Sequence, residues 1–450
     1  MSASLEDLLR DAKVDLVIAR IDKDPSIIKE VIKQLKNQIR SIRFNATLVL
    51  GELGQKAAES TTYLMTCLED EDWSVCREAA RSLGKIGKAA ENAIPALSKL
   101  LRDKEDSIRI AAAVSIGRIS TSKDEAISCL TEALCDKNEE MRAAVVRTLG
   151  NLGSHAYTSI PSLIICLKDT SWTVRTAAAQ ALSGIGKDSV KAIPMLAKTL
   201  EDKDWRVRYR AINTLVKIGK DAIPALLDAL NHKDSLVRKG ALEALGEMRV
   251  SDPKIIELIA SLLKNRVEGV RGKAADALRS IGKDAIPSLL TSFENANKEV
   301  KILIIDAIGG MKLDAQDAIP SLIKILQNEG TGIRAEAALT LGKIGVATKE
   351  VIFALQHALS DKSSIIRREA AIALGKIGLN ASAAVLSLVE ALKDKKPDVR
   401  WRAAEALGKI GVGTTEVLSP LNELISDKHD YVAEAAQEAL DSLKNEVKSK

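Results

Sequence analysis

Residues 399–411 read Val-Arg-Trp-Arg-Ala-Ala-Glu-Ala-Leu-Gly-Lys-Ile-Gly. The pattern Val/Ile-Arg-x-x-Ala-Ala-x-x-Leu-Gly-x-Ile-Gly returns at 333–345 and 366–378, and with small changes at 174–186. Taking its Arg as an anchor gives a series through the chain: Arg43, Cys76, Arg109, Arg142, Arg175, Arg208, Arg238, Arg271, Lys301, Arg334, Arg367, Arg400 and Ala433. Every step is 33 residues except two of 30. Around each anchor, apolar side chains fall one before it and three, four, seven and ten after it, which is helical spacing with one buried face. A fixed period of this length marks stacked repeats, each burying its apolar face against its neighbours.

Local signals bracket the helix that carries the anchor. Four residues before the anchor stands a helix-capping type in Asp72, Asn138, Ser171, Asp204, Asp234, Asn297 and Ser363, and Pro397 suits the first turn of another such helix. Eleven residues after the anchor stands a glycine in nine of the thirteen units, from Gly54 to Gly411, as a left-handed helix end requires. A shorter first helix precedes it in each unit. It opens on Ile-Pro at 94–95, 160–161, 193–194, 223–224, 286–287 and 319–320, where proline removes only an N–H that lacks a helical partner.

Composition narrows the function classes. Charged residues are 28% and aromatic residues only 2% of the 450 residues, a foldable chain rich in helix formers. Residues 1–24 read as one amphipathic capping helix opened by Ser4 and Asp7, without the pattern of a signal peptide. No run of about 18 apolar residues occurs, so no membrane insertion is expected. Five cysteines, Cys67, Cys76, Cys129, Cys135 and Cys166, form no Cys-x-x-Cys pair and suit buried core positions in a reducing, cytoplasmic setting. The four histidines stand alone in their units, with no zinc or two-iron spacing and no catalytic triad. No metal, cofactor or catalytic residue is therefore expected.

A period of 33 also suits ankyrin and tetratricopeptide arrays. The Thr-Pro-Leu-His signature of the first is absent, and so few aromatics cannot supply the Trp, Tyr and Phe positions of the second. The block instead resembles the short HEAT-like repeats of the phycobilisome-lyase type, over Pro25 to about Lys444. The resemblance implies an all-α fold, an α-solenoid built as a right-handed superhelix of about thirteen two-helix repeats. The expected organisation is a capping helix over 1–24, one continuous solenoid over 25–444 and a charged tail over 445–450.

Six residues before the anchor stands Asp70, Asp103, Asp136, Asp169, Asp202, Asp361, Asp394 or Asp427. An Asp in the turn between helices and an Arg in the following helix suit a charge-assisted ladder joining neighbouring units, as the resemblance also implies. Its arginines would be Arg109, Arg142, Arg175, Arg208, Arg238, Arg271, Arg334, Arg367 and Arg400. Ala433 would mark its end, since no later unit exists for an arginine to meet.

The resemblance places the second helices on the concave face. Their outward positions lie three and two before the anchor and one, two and five after it. Those positions are net acidic despite the formal charge of +5, mildly basic in units one to six and acidic beyond. That argues against nucleic acid, which needs a contiguous basic stripe. The scarce aromatics gather on the same positions. Trp172, Trp205, Arg206, Tyr209 and Arg210 lie in two adjacent units, with Trp73, Arg77, Trp401 and Arg402 as further candidates, and these residue types dominate binding hot spots. For Trp73 and Trp172, covering a neighbouring helix end is an equally good reading. The expected function is a non-catalytic scaffold or adaptor that grips another protein, as an extended segment or a domain, on the concave face. The alternatives are an accessory chromophore-lyase-like protein and a nucleic-acid-binding helical-repeat protein.

Overall fold

The structure is a computed structural model that describes residues 3–120 and 124–448, and among them every regular element is helical. The second helices run Arg40–Leu53, Trp73–Ile86, Asp106–Ile119, Glu139–Asn151, Trp172–Ile185, Trp205–Ile218, Ser235–Glu247, Glu268–Ile281, Lys298–Gly310, Thr331–Ile344, Ser364–Ile377, Pro397–Ile410 and Asp430–Lys448. Each follows a shorter first helix, the repeating unit of an all-α solenoid. The chain forms two compact units, residues 1–240 and 241–450, and each is a stack of this kind.

The helix ends follow the local chemistry. Asp72, Asn138, Asp204 and Asn297 accept hydrogen bonds from main-chain N–H groups of the first turn. Ser171 does not; its hydroxyl pairs with that of Thr173 at 2.7 Å. All nine glycines eleven after the anchor have positive φ, from +55° at Gly54 to +85° at Gly186, Gly219 and Gly282. Arg249 and Lys312 hold the same place and the same hand, with φ of +47° and +55°, although a side chain disfavours that conformation. Lys312→Gly is therefore expected to raise the stability of the second unit by about 1 kcal/mol. A urea midpoint that stays put would show the strain to be absorbed elsewhere.

The N-terminal segment differs from the expected single helix. It forms two, Leu5–Arg10 and Val14–Lys23, because the chain turns through positive φ at Ala12 (+53°). Ser4 does cap the first, accepting from the Asp7 N–H at 3.1 Å. At the other end the last helix continues to Lys448, past the expected start of the tail at 445, and residues 449–450 lie outside the described residues. The stretch Ser364–Ala391 is apolar and long enough by composition to cross a membrane. Its φ of +70° at Gly378 divides it into two repeat helices, however, and half of its most apolar window is buried.

Between neighbouring second helices the backbones nearly touch. The Ala pairs, such as Ala79–Ala80 and Ala370–Ala371, are fully buried. A second row sits eight residues after the anchor and is glycine in nine of the thirteen units: a Cβ on Gly150, Gly342 or Gly408 would lie 2.7, 2.5 or 3.0 Å from the Cα of Ala181, Ala373 or Ala439 in the next unit. The opposing residue, six after its own anchor, must be small. Where it is Ser82 or Thr214, its hydroxyl donates to a carbonyl of the preceding helix, Thr47 or Ala179, at 2.8 Å.

Candidate partner-binding face

The anchor arginines are built into the joints between units. Arg367 donates from Nε and Nη2 to both carboxylate oxygens of Asp394 at 2.6 and 2.8 Å, and from Nη1 to the carbonyls of Asp361 and Lys362 in its own turn at 2.8 and 3.3 Å. One guanidinium thus ties its own turn to the next. The bidentate geometry recurs for Arg43–Asp70, Arg109–Asp136, Arg142–Asp169, Arg175–Asp202 and Arg400–Asp427, with shortest contacts of 2.6 to 2.8 Å. Arg334 pairs with Asp361 through Nη2. The carboxylate also orders the turn that carries it, since Asp394 Oδ1 accepts from the Lys396 N–H at 2.8 Å.

The ladder is not continuous. Among the described residues Arg208 donates only to the carbonyls of Asp202 and Lys203, because His232 stands where the next turn needs an Asp. Arg238 and Arg271 likewise hold carbonyls of their own turns, and the acceptor places at 265 and 295 are Asn. Arg271 comes no nearer than 3.9 Å to Glu299, which is exposed. The Asp103 carboxylate pairs with no arginine among the described residues, since the anchor before it is Cys76, whose thiol donates to the Leu68 carbonyl at 3.0 Å. Lys301 keeps a joint by reaching Glu329, one residue beyond the usual acceptor place, at 2.6 Å. At 232 the imidazole takes over part of the Asp role: Nδ1 accepts from the Asp234 N–H at 3.1 Å, and Nε2 lies 3.4 Å from Glu201.

The cysteines divide between core and surface. Burial pushes the Cys67, Cys76 and Cys166 thiols up to about 11, leaving them protonated and unreactive at neutral pH. Cys129 is half-buried and Cys135 exposed, because the latter sits where a first helix unwinds into its turn. Among the described residues no group of three His, Cys, Asp or Glu side chains could hold a metal ion.

The candidate aromatic residues lie on the second helices, but their surroundings differ. The place three before the anchor reaches forward to the start of the next second helix. Arg40 meets Asp72 and Ser74 there at 3.0 and 2.8 Å and Asp106 hydrogen-bonds Asn138, and from the place two before the anchor Asp398 accepts from the Tyr431 hydroxyl at 3.1 Å. Trp172 does the same by stacking: the Arg206 guanidinium lies 3.4 Å from its ring centroid while Nη2 holds Asp204 at 2.6 Å. The hydrogen bonds from Arg206 draw the Asp204 carboxyl down to about 2. Trp172 is thus partly spent on the fold. Trp401 is too, edge-on to Tyr431 at 5.5 Å and covered by Arg402, which binds Glu405. Arg77 lies 4.8 Å over the Trp73 ring, and Trp73 remains half exposed.

Trp205 and Tyr209 are the exception. One helical turn apart on Trp205–Ile218, they are 65% and 47% exposed, and no ring or cation covers Trp205 among the described residues. Arg210 stands 5.9 Å from the Tyr209 ring.

The acidity expected of the later units is offset only in part by bases nine after the anchor, Lys343, Lys376 and Lys409, while the same place at 247 is Glu. Lys343 contacts Asp306 and Glu336 at 2.9 and 3.3 Å, and Lys409 contacts Glu405 at 2.6 Å. These residues lie a further turn along the same helical face and were legible in the register, which stopped at five.

This architecture defines a class. The profile of HEAT repeats matches residues 28–117, 94–183, 160–246, 223–296, 286–352 and 354–441, and the chain belongs to the HEAT-repeat family. The match is to HEAT repeats in general, and the narrower likeness to the phycobilisome-lyase type stays with the sequence block. No curated protein matches the chain. Solved structures share its fold. Kap121p bound to Nup53p gives a TM-score of 0.58 at 13% identity, covering 99% of this chain and 66% of that one. Kap121p bound to Pho4p gives 0.57 at 16% identity, covering 93% of this chain and 54% of that one. This chain therefore spans only part of Kap121p, and the likeness is one of fold.

Proposed function

We propose that this HEAT-repeat protein is a non-catalytic scaffold that grips a protein partner along the face of its second helices, with Trp205 and Tyr209 as the central contact. The observation that carries this reading is the pairing of two large exposed aromatics, one turn apart, in a chain with 2% aromatic residues. Exposed Trp and Tyr beside Arg supply much contact area at little cost in side-chain entropy, which is why they dominate hot spots. Arg206 and Arg210 flank them, the first held rigid between Trp172 and Asp204. Kap121p, of like fold, is seen bound to the proteins Pho4p and Nup53p, which supports a protein as partner here.

Replacing Trp205 and Tyr209 together by alanine should abolish recovery of the native partner in pull-down with mass spectrometry. Trp172→Ala, which also removes the shelf under Arg206, should weaken recovery less. Unchanged recovery by the double variant would move the binding site elsewhere.

A further inference from the structure

A groove of about 440 Å³ opens on the second-helix face of the first unit, among helices Arg40–Leu53, Trp73–Ile86 and Asp106–Ile119. Its floor is apolar, formed by Leu48, Ile110 and Val114, and its rim carries Arg81, Lys85 and Arg118. The acid in it, Glu78, is almost wholly buried, 3.7 Å from Arg81 and 4.0 Å from Lys85. Lys85 is also held by Glu52 at 2.7 Å. Arg81 remains half exposed, and Arg118 is exposed and makes no ion pair among the described residues. Two guanidinium groups therefore stand over an apolar floor with positive charge to spare.

We infer that this groove takes an acidic segment of a protein partner, with one aliphatic side chain seated on Leu48, Ile110 and Val114 and carboxylates on either side paired to Arg81 and Arg118. The inference rests on the reading of the second-helix face as a protein-binding surface and adds the chemistry of one segment bound there. Charge complementarity fixes the sign of the occupant, and the planar guanidinium suits a carboxylate through two parallel hydrogen bonds. The apolar floor fixes its mixed character, since a purely ionic ligand would leave it dry and unpaired. A nucleic acid fits less well. Asp106 opens the groove's own third helix and Glu139 and Glu140 open the next second helix, interrupting the basic surface along which a phosphate backbone would have to run.

The test uses a short fluorescein-labelled peptide in which one leucine is flanked on both sides by aspartates, titrated with the full chain and read by anisotropy. Saturable binding is expected. It should weaken at least about tenfold in the Arg81→Glu, Arg118→Glu double variant, be largely kept with lysine at both places, and weaken when serine replaces the peptide's leucine. Both arginines are exposed, and circular dichroism of each variant confirms that the fold is retained. The Trp205→Ala, Tyr209→Ala variant should bind the peptide as the unaltered chain does. Loss of partner recovery there with peptide binding intact, or the reverse, separates this inference from the proposed function. Absence of saturable binding, equal affinity for the charge-reversed protein, or equal affinity for the serine peptide would each overturn it. So would tighter binding of single-stranded polythymidine, which would assign the groove to nucleic acid instead.

Discussion

Gly342→Val is expected to destabilise the second unit by about 3 kcal/mol, at the upper end of what overpacking a well-filled contact costs. A Cβ at 342 would stand 2.5 Å from the Cα, 2.8 Å from the Cβ and 3.0 Å from the carbonyl oxygen of Ala373. Two of those atoms are backbone, so no rotamer change relieves the clash. Helices Thr331–Ile344 and Ser364–Ile377 must separate, exposing the buried side chains that line their contact, among them Ile366, Ala370 and Leu374. Urea unfolding reads the loss as a lowered midpoint, and hydrogen exchange should place it in these two helices. Gly272 is the internal control. It lies within helix Glu268–Ile281 with nothing inside 4 Å of a Cβ, so Gly272→Ala should stabilise by about 0.5 to 1 kcal/mol through helix propensity alone. A valine at 342 that leaves the midpoint unchanged would refute the close approach.

Asp394→Ala is expected to cost a similar amount, about 3 kcal/mol, because it strands a largely buried guanidinium rather than merely removing one favourable contact. Arg367 loses two hydrogen bonds at 2.6 and 2.8 Å, and the Lys396 N–H loses its acceptor. Neighbouring joints should be left intact, since repeat stacks transmit stability mainly between nearest neighbours. The same joint makes a pH prediction. Burial alone would raise the Asp394 carboxyl, but hydrogen bonds from Arg367 and the Lys396 N–H, with the charges of Arg367 and Arg400, outweigh it and hold the group below its ordinary value of 3.8. Asp169 and Asp427 are lowered too, the first by Arg142 against the effect of burial, the second chiefly by hydrogen bonds from Arg400. A carboxyl lowered by folding lends stability that is fully present above its unfolded value and is lost as pH falls through the folded one. Unfolding by acid should therefore begin below about pH 4 and come later, in pH, than ordinary carboxylate titration. In Asp394→Ala the acid-dependent part of the loss should shrink. An unaltered acid profile would show that the joint does not contribute to it.

Much of the fold was legible because its determinants are local. The apolar spacing around each anchor, the capping residues and the nine glycines act within one helix or its ends, and a single repeat displays them all. The Arg–Asp joint was legible as a spacing, since it forms where an Asp stands 27 residues after an anchor Arg, as at Arg367–Asp394 and Arg400–Asp427. Where the step is 30, at Arg208 and Arg271, the acceptor place holds His232 or Asn295, and the joint is not formed in the same way.

The candidate site was less legible, for a related reason. Trp172 and Trp205 occupy the same place in the register, yet Arg206 stacks on the first and nothing comparable covers the second. Three acids of the later units, Asp306, Glu336 and Glu405, are met by Lys343 and Lys409, a turn further along the helices than the positions counted.

The sequence by itself determined the helical repeat, the ends of most second helices and the types of residue that could join them, because these depend on torsional preference and on apolar periodicity along one chain segment. Only the tertiary structure decided which arginines find a carboxylate, which glycines must remain glycine and which aromatics stay open to a partner. Each of those outcomes belongs to a pair of residues brought together by stacking, and neither member carries the answer alone.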